Sequence, residues 1–135
     1  MSGVEPRTFW YDFRNDGDDP IYFEHQMGII YNDFSSKPAY VAYATLTRVL
    51  RGKRLAGPVA APQGVLAYRF KPAAGGTGET IAVWSPQADA AVELPVAAER
   101  VTRINGIGEE SVLTVQGGKV RVELKQGAPV YLEVR

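Results

Sequence analysis

The chain has 135 residues, of which 45% are hydrophobic and 22% charged, and fifteen basic residues balance fifteen acidic ones. A chain of this length typically forms one domain that buries roughly two thirds of its extended surface. The zero net charge predicts neither a nucleic acid nor a membrane partner, and the absence of cysteine excludes disulfides, thiolate nucleophiles and Cys-ligated zinc.

The first aromatic stretch is "RTFWYDFR" at residues 7–14, and its rings predict a strand that ends at the turn formers of "NDGDDP". A second stretch, "IYFEHQMGIIYNDF" at 21–34, has no clear periodicity. Its Gly28 and the pair Asn32-Asp33 predict an irregular loop or a short turn.

One segment, "SSKPAYVAYATLTRVLRGK" at 35–53, has the features of a helix. Ser36 is the predicted N-cap, Pro38 lies in the first turn and Gly52 follows the last apolar residue. Apolar residues recur at steps of three and four and predict one apolar stripe that another element must cover: Ala39, Ala42, Tyr43, Leu46, Val49 and Leu50.

The rest of the chain changes character. "AGPVAAPQG" at 56–64 predicts a linker, and seven short segments of alternating or β-branched residues follow it, at 65–71, 79–85, 90–96, 100–104, 111–116, 119–125 and 129–134. The predicted fold is mainly β, an antiparallel β-sandwich of about seven strands with one N-terminal strand-loop-helix segment. The predicted division is 1–57 for that segment and 58–135 for the sandwich.

Two glycine-rich stretches predict turns. Gly117-Gly118 lies between alternating flanks and predicts a tight two-residue hairpin, in which the following "KVRVEL" turns its apolar residues inward. "PAAGGTGE" at 72–79 predicts a mobile turn.

Catalytic and metal motifs are absent from this sequence. His25 is the only histidine and no Gly-x-Ser-x-Gly occurs, which disfavours a Ser-His-Asp triad and a histidine zinc site. The acidic run 16–19 lacks the later glycine and glutamate of a calcium loop. Glu24 has no second carboxylate obviously placed for glycoside cleavage, apart from Asp12. No cofactor or metal is predicted.

The two aromatic stretches and the helix together resemble the last strand, loop and helix of a (β/α)8-barrel glycoside hydrolase of clan A. The resemblance is strongest to the β-xylosidase and α-iduronidase kind. It is carried by Trp10-Tyr11, by Glu24-His25 followed by Gly28-Ile29, and by "KPAYVA" at 37–42. Such enzymes commonly continue into a β-sandwich, so the resemblance spans nearly the whole chain.

The resemblance implies a carbohydrate-binding role at the end of the barrel's last strand, where such enzymes hold their active site. Trp10 and Tyr11 would stack on a sugar ring, Asp12 would bind its hydroxyls, and Glu24 and His25 would lie nearby. A buried or interface role for Trp10 and a hydrogen-bonded loop role for His25 remain alternatives. The catalytic glutamates of the family lie on earlier strands, so this chain alone is predicted to be inactive.

Three functions stay open from the sequence: a noncatalytic part of a glycoside hydrolase, a carbohydrate-binding sandwich, and a dimerising interaction protein. A lone barrel strand leaves two unpaired edges, which predicts that the helix packs on the sandwich or that a homodimer covers the aromatic segment. The start "MSGVEPRTFW" has no apolar run of signal-peptide length, so the chain as written is expected to be soluble and cytoplasmic, with the compartment otherwise unknown.

Overall fold

The computed structural model describes residues 9–73 and 78–134, which fall into two compact units divided between Val41 and Ala42. The sequence predicted its division at 57/58. Residues 7–8 of the predicted first strand and residues 74–77 of the predicted turn at 72–79 lie outside the described residues. No helix of the described part is long and apolar enough to cross a membrane.

Within the described residues, the chain forms one short 3-10 helix, one α-helix and eight strands. The 3-10 helix is Phe23–Gln26 and the α-helix, α1, is Pro38–Leu50. The strands are β1 Lys53–Pro58, β2 Leu66–Pro72, β3 Glu79–Trp84, β4 Ala90–Pro95, β5 Arg100–Asn105, β6 Glu110–Thr114, β7 Lys119–Leu124 and β8 Val130–Val134.

All strand pairs in the second unit are antiparallel. Six strands form one sheet in the order β1-β2-β3-β8-β5-β6, and β4 pairs with β7 in a second, two-stranded sheet. The predicted fold class, a mainly β antiparallel sandwich, is therefore confirmed, and each of the seven predicted strands is present. The sequence did not predict β1. Its segment "KRLAGP" has no alternation of apolar and polar residues, and it contains Gly and Pro, which are unfavourable in strands. Its register with β2 shifts between Leu55 and Gly57.

The sandwich core lies between the two sheets. Alternation along each strand sends one set of side chains to this side. In β7, Val120, Val122 and Leu124 are buried while the charged residues between them are exposed, as the sequence predicted. They pack with Ile81 and Leu132 of the larger sheet, which are both fully buried.

The opposite side of the six-stranded sheet, called here the outer face, receives the second half of α1. Val49 packs there with Ala82, Ile104 and Tyr131, which come from three adjacent strands. This confirms the prediction that the helix packs on the sandwich. The predicted apolar stripe is displaced by part of a turn, because Thr45 is buried whereas Tyr43 is 40% exposed.

A buried polar network lies where the end of α1 meets the sheet. The Lys53 ammonium donates to Thr80 Oγ1 at 2.5 Å and lies 4.0 Å from the Glu133 carboxylate. Thr80, which is fully buried, donates in turn to the carbonyl of Val49 at 3.5 Å. These bonds offset the desolvation of polar groups beneath the helix.

The first residues of α1 differ from the prediction in one respect. The carbonyl of Lys37 accepts the first helical bond, from Tyr40 N at 2.9 Å, so Lys37 rather than Ser36 is the N-cap. Ser36 is instead paired with Ile30 in an antiparallel bridge. Gly52 ends the helix with a φ of 70°, as expected.

The predicted hairpin at Gly117-Gly118 is confirmed only locally. Both glycines have positive φ, and Gln116 and Lys119 exchange two backbone bonds across the turn. The strands beyond do not pair: Val115 N donates to Glu99 O beside β5, and Val96 N, after β4, donates to Gly118 O. The turn thus leads the chain from one sheet to the other.

Removing a core side chain tests this arrangement. Leu132→Ala, in the middle of β8, is expected to lower the free energy of unfolding by about 2–5 kcal/mol, because neighbours on several strands cannot close the cavity. Val112→Ala, on a strand residue that is 67% exposed, is the control and should change it by less than about 0.5 kcal/mol. Urea unfolding followed by circular dichroism measures both. Equal effects would contradict the assignment of the core.

Candidate functional site

The candidate site lies in the first unit, where the predicted strand at 7–14 is not formed. Residues 9–13 have no regular structure, and Arg14 makes a single parallel bridge with Ile30. Among the described residues, the segment bonds along one side: Ile29 N donates to Asp12 O, Ile30 N to Phe13 O and Asn15 N to Ile30 O. For residues 9–14 the strand prediction is therefore wrong, because high aromatic propensity alone does not make a strand.

Ile30 is the centre of this unit. It is 6% exposed and is bridged to Arg14 on one side and to Ser36 on the other. Gly28 lies two residues before Ile30. A side chain has no room there, because a Cβ would lie 2.2 Å from the backbone nitrogen of Asn15. The chain between 12 and 37 is thus held by backbone contacts around one small apolar centre.

The carbonyl of Met27 connects the two parts of the predicted binding site. It accepts from the indole Nε1 of Trp10 at 2.9 Å and from the backbone nitrogen of Asp12 at 3.1 Å. Met27 N donates to Glu24 O, at the end of the 3-10 helix. Residues 10–12 therefore lie beside the segment that follows Glu24 and His25, although 12 or more positions separate them in the sequence.

The first three predicted residues differ in how they meet solvent. Trp10 is 53% exposed and Tyr11 is 70% exposed, so both rings present a free face. Asp12 is half-buried, and its carboxylate accepts from the next backbone nitrogen, of Phe13. The peptide bond between Tyr11 and Asp12 is cis. Two large rings are thus available for stacking.

Glu24 and His25 are placed differently from each other. The Glu24 carboxylate is exposed and accepts from the hydroxyl of Tyr22 at 2.9 Å. The His25 ring is half-buried, lies edge-on to Tyr22 at 4.8 Å and packs against Gly17, where a Cβ would lie 2.6 Å from it. Its Nδ1 is buried and has no hydrogen-bond partner among the described residues.

A polar triad that sequence reasoning missed supports the loop from beneath. Asn15 is 4% exposed; its Oδ1 accepts from the Lys37 ammonium at 2.6 Å, and its Nδ2 donates to Gln26 Oε1 at 3.1 Å. Lys37 also donates to the carbonyl of Gln26 at 2.9 Å. Asn15 stood among turn formers and Lys37 in the helix motif, and nothing in their spacing indicated a contact.

Aromatic side chains are exposed throughout this unit. Among the residues the structure describes in the range 9–34, Trp10, Tyr11 and seven further large hydrophobic residues are at least 44% exposed: Phe9, Phe13, Ile21, Tyr22, Phe23, Tyr31 and Phe34. The Phe34 ring also lies under the Arg14 guanidinium, 4.9 Å away. Exposed apolar surface on this scale is typical of a binding or interaction surface.

No metal centre is evident in the part of the chain that the structure describes, where no group of three or more His, Asp or Glu side chains is placed to hold an ion.

Comparison with known proteins gives a structural relationship. No protein-family model matches the chain, and no curated protein matches it. Among solved structures, a family 39 glycoside hydrolase from the gut symbiont Bacteroides cellulosilyticus WH2 aligns with 94% of the chain at 31% identity and a TM-score of 0.80.

Two further structures share the fold. A GH30 endoxylanase from Clostridium papyrosolvens C71 aligns with 76% of the chain at 10% identity and a TM-score of 0.62. An α-amylase from Anoxybacillus aligns with 87% at 13% identity and a TM-score of 0.56. The chain spans only 26–29% of the length of these three proteins. It is therefore structurally related to a part of glycoside hydrolases.

A substitution at Gly28 tests whether the backbone of residues 12–15 packs closely against 27–30. Gly28→Ala would force the added methyl into the backbone of residues 14–15, so the bonds that hold 12–15 against 27–30 should open. We expect amide exchange at Asn15, Ile29 and Ile30 to accelerate at least about tenfold, while Leu132 in the sandwich keeps its protection.

The matched control is Gly106→Ala, where the new Cβ would make ordinary contacts of 3.4 Å or more with Pro129. Hydrogen exchange followed by NMR measures both variants. Unchanged exchange at Ile30 in Gly28→Ala would contradict the close packing described here.

Proposed function

We propose that this chain is a noncatalytic C-terminal portion of a clan A glycoside hydrolase, in which the segment 9–34 borders a carbohydrate cleft. The observation that carries the proposal is the 31% identity and TM-score of 0.80 over 94% of the chain with a family 39 glycoside hydrolase. Because the chain spans 26% of that protein, catalysis is assigned to the remaining part.

The exposed rings give the proposal its chemistry. Sugar rings present apolar C–H faces that stack on aromatic side chains, and Trp10 and Tyr11 are both more than half exposed. Trp10 is also fixed in orientation by its bond to the Met27 carbonyl, which lowers the entropy lost when a ligand stacks on it. The carboxylates of Asp12 and Glu24 supply hydrogen-bond acceptors for hydroxyl groups.

Tryptophan fluorescence tests this proposal, since the chain contains two Trp residues, Trp10 and Trp84. Adding xylo-oligosaccharides or malto-oligosaccharides should change the emission of the unmodified chain and of Trp84→Phe, but not of Trp10→Phe. Trp84→Phe is the matched control because Trp84 is only partly exposed and is stacked on Tyr68.

The same samples test the noncatalytic assignment. No release of reducing sugar is expected, because in the family that the chain resembles the catalytic glutamates lie on earlier barrel strands. Hydrolysis that is abolished by Glu24→Gln would overturn this part. A fluorescence response retained by Trp10→Phe, or absent in all three proteins, would overturn the assignment of the aromatic segment to carbohydrate.

A dimerising sandwich is a second candidate function, and a groove on the outer face favours it. The groove has a volume of about 350 Å³ and is lined mainly by apolar side chains, among them Leu46, Leu50, Tyr68, Trp84 and Tyr131. Six strands spaced by about 4.8 Å make a face about 24 Å wide, whereas one helix covers about 10 Å. α1 therefore leaves part of the face open.

The groove continues the surface on which α1 is already seated, so its most suitable occupant is another apolar helix. A second copy of the chain supplies one, and α1 exposes Tyr40, Val41 and Tyr43. Tyr131 is only 4% exposed and lines this groove. Burial raises the pKa of its hydroxyl.

Sedimentation velocity distinguishes this candidate. The unmodified chain is expected to sediment as a dimer and Trp84→Lys as a monomer, because a charge in the groove would be buried on association. Val112→Lys, on an exposed strand residue, is the control and should remain dimeric. A monomer at all concentrations of the unmodified chain would exclude dimerisation and leave the carbohydrate proposal untouched.

A further inference from the structure

The first unit contains a polar cavity away from Trp10, Tyr11 and Glu24. This loop cavity has a volume of about 420 Å³ and is lined by Asn15, Gly17, Asp18, Pro20, Gln26, Tyr31, Asn32, Asp33 and Ser35. Neither the resemblance nor the sequence motifs assigned a role to these residues. All of them belong to the first unit, so the cavity depends on the local fold alone.

The inner wall of the loop cavity is fixed before any ligand arrives. Asn15 is 96% buried and is held between the Lys37 ammonium and Gln26 Oε1. Gln26 donates in turn from Nε2 to the carbonyl of Asp19 at 3.1 Å. A wall of interlocked amides is typical of sites that bind polar ligands with little reorganisation.

The outer wall carries two carboxylates, each with one oxygen engaged. Asp18 Oδ1 accepts from Asn32 Nδ2 at 3.0 Å, and Asp33 Oδ1 accepts from the backbone nitrogen and hydroxyl of Ser35 at 2.9 and 2.6 Å. These bonds with Ser35 lower the pKa of Asp33, so its carboxylate is ionised at neutral pH. The second oxygen of each carboxylate accepts no hydrogen bond from a described residue.

An aromatic ring completes the lining. Tyr31 is 44% exposed, and the Lys37 ammonium lies 5.2 Å from the centre of its ring. The cavity therefore offers free acceptors and a flat apolar surface within one small volume. A ligand that satisfies both needs several hydroxyl donors and an apolar face.

Other ligand classes fit less well. An anion would meet the carboxylates of Asp18 and Asp33 at close range, which is unfavourable. A wholly apolar ligand would bury their free oxygens without partners. For a metal ion, the described residues contain no group of three or more His, Asp or Glu side chains that could hold it.

We propose that the loop cavity binds one pyranose ring, whose hydroxyls donate to Asp18 and Asp33 while a C–H face rests on Tyr31. The inference rests on the proposed function for its ligand class, and it adds a sugar subsite separate from the Trp10 and Tyr11 rings. One oxygen of each carboxylate fixes the loop and the other binds the ligand.

Two-dimensional ¹⁵N–¹H NMR of the whole chain tests the inference, with methyl β-D-xylopyranoside and methyl α-D-glucopyranoside as probes. At least one probe should shift the amide signals of Asn15, Asn32 and Ser35 and saturate with a millimolar Kd. Asp18→Asn and Asp33→Asn keep the Oδ1 that fixes the loop, but they replace the second oxygen by an NH2 group and so remove the charge and the ligand-binding acceptor. Each should weaken binding about tenfold, because a hydrogen bond to an ionised acceptor is lost.

Asp16→Asn is the matched control, since Asp16 is exposed and lies outside the lining of the cavity. It should bind as the unmodified chain does, and unchanged amide signals of Ile29 and Ile30 without ligand show that the first unit of each variant is folded. Absence of saturable shifts, or equal binding by the Asp33 and Asp16 variants, would overturn the inference. So would the same shifts produced by calcium chloride at lower concentration. A response of Trp10 to oligosaccharides without these shifts would remove the loop cavity and leave the proposed function standing.

Discussion

Burial of the central strands on both faces is the constraint on which the rest of the sandwich depends. β3 and β8 lie in the middle of the six-stranded sheet, with the β4–β7 pair over one face and the end of α1 over the other. Both strands must therefore bury consecutive residues rather than alternate ones, as Ile81, Ala82 and Val83 do. The one polar side chain in the middle of β3, Thr80, is accommodated because Lys53 and the last turn of α1 supply its bonds.

This constraint explains why the sandwich was largely predictable from the sequence and the loop unit was not. Each strand of the sandwich carries its own signal, since alternation in β7 or a β-branched run in β3 reports local burial. The pairing of strands carries no such signal. Gly117-Gly118 correctly indicated a tight turn, but no property of the flanking residues shows that β6 and β7 belong to different sheets.

The loop unit depends on contacts between residues far apart in the chain. Trp10 donates a hydrogen bond to the Met27 carbonyl, 17 positions away in the sequence, and Lys37 donates to Asn15, 22 positions away. Such bonds form because the backbone of residues 12–15 lies against that of 27–30. The side chains of these residues have no periodic pattern from which this pairing could be predicted. The family resemblance therefore singled out residues of the aromatic segment, but not the polar triad that supports the loop. The predicted roles of Trp10, Tyr11, Asp12, Glu24 and His25 in carbohydrate binding stay predictions.

The contact between His25 and Gly17 has an evolutionary corollary. The imidazole occupies the space where any other residue at position 17 would place its first side-chain carbon. The two positions are thus coupled by excluded volume: a descendant of this sequence that replaces the glycine has to shorten or relocate the histidine in the same step or soon after. Related sequences would show this coupling as paired changes at positions 17 and 25. Such pairs would identify chains that share this loop even where the surrounding aromatic residues have diverged.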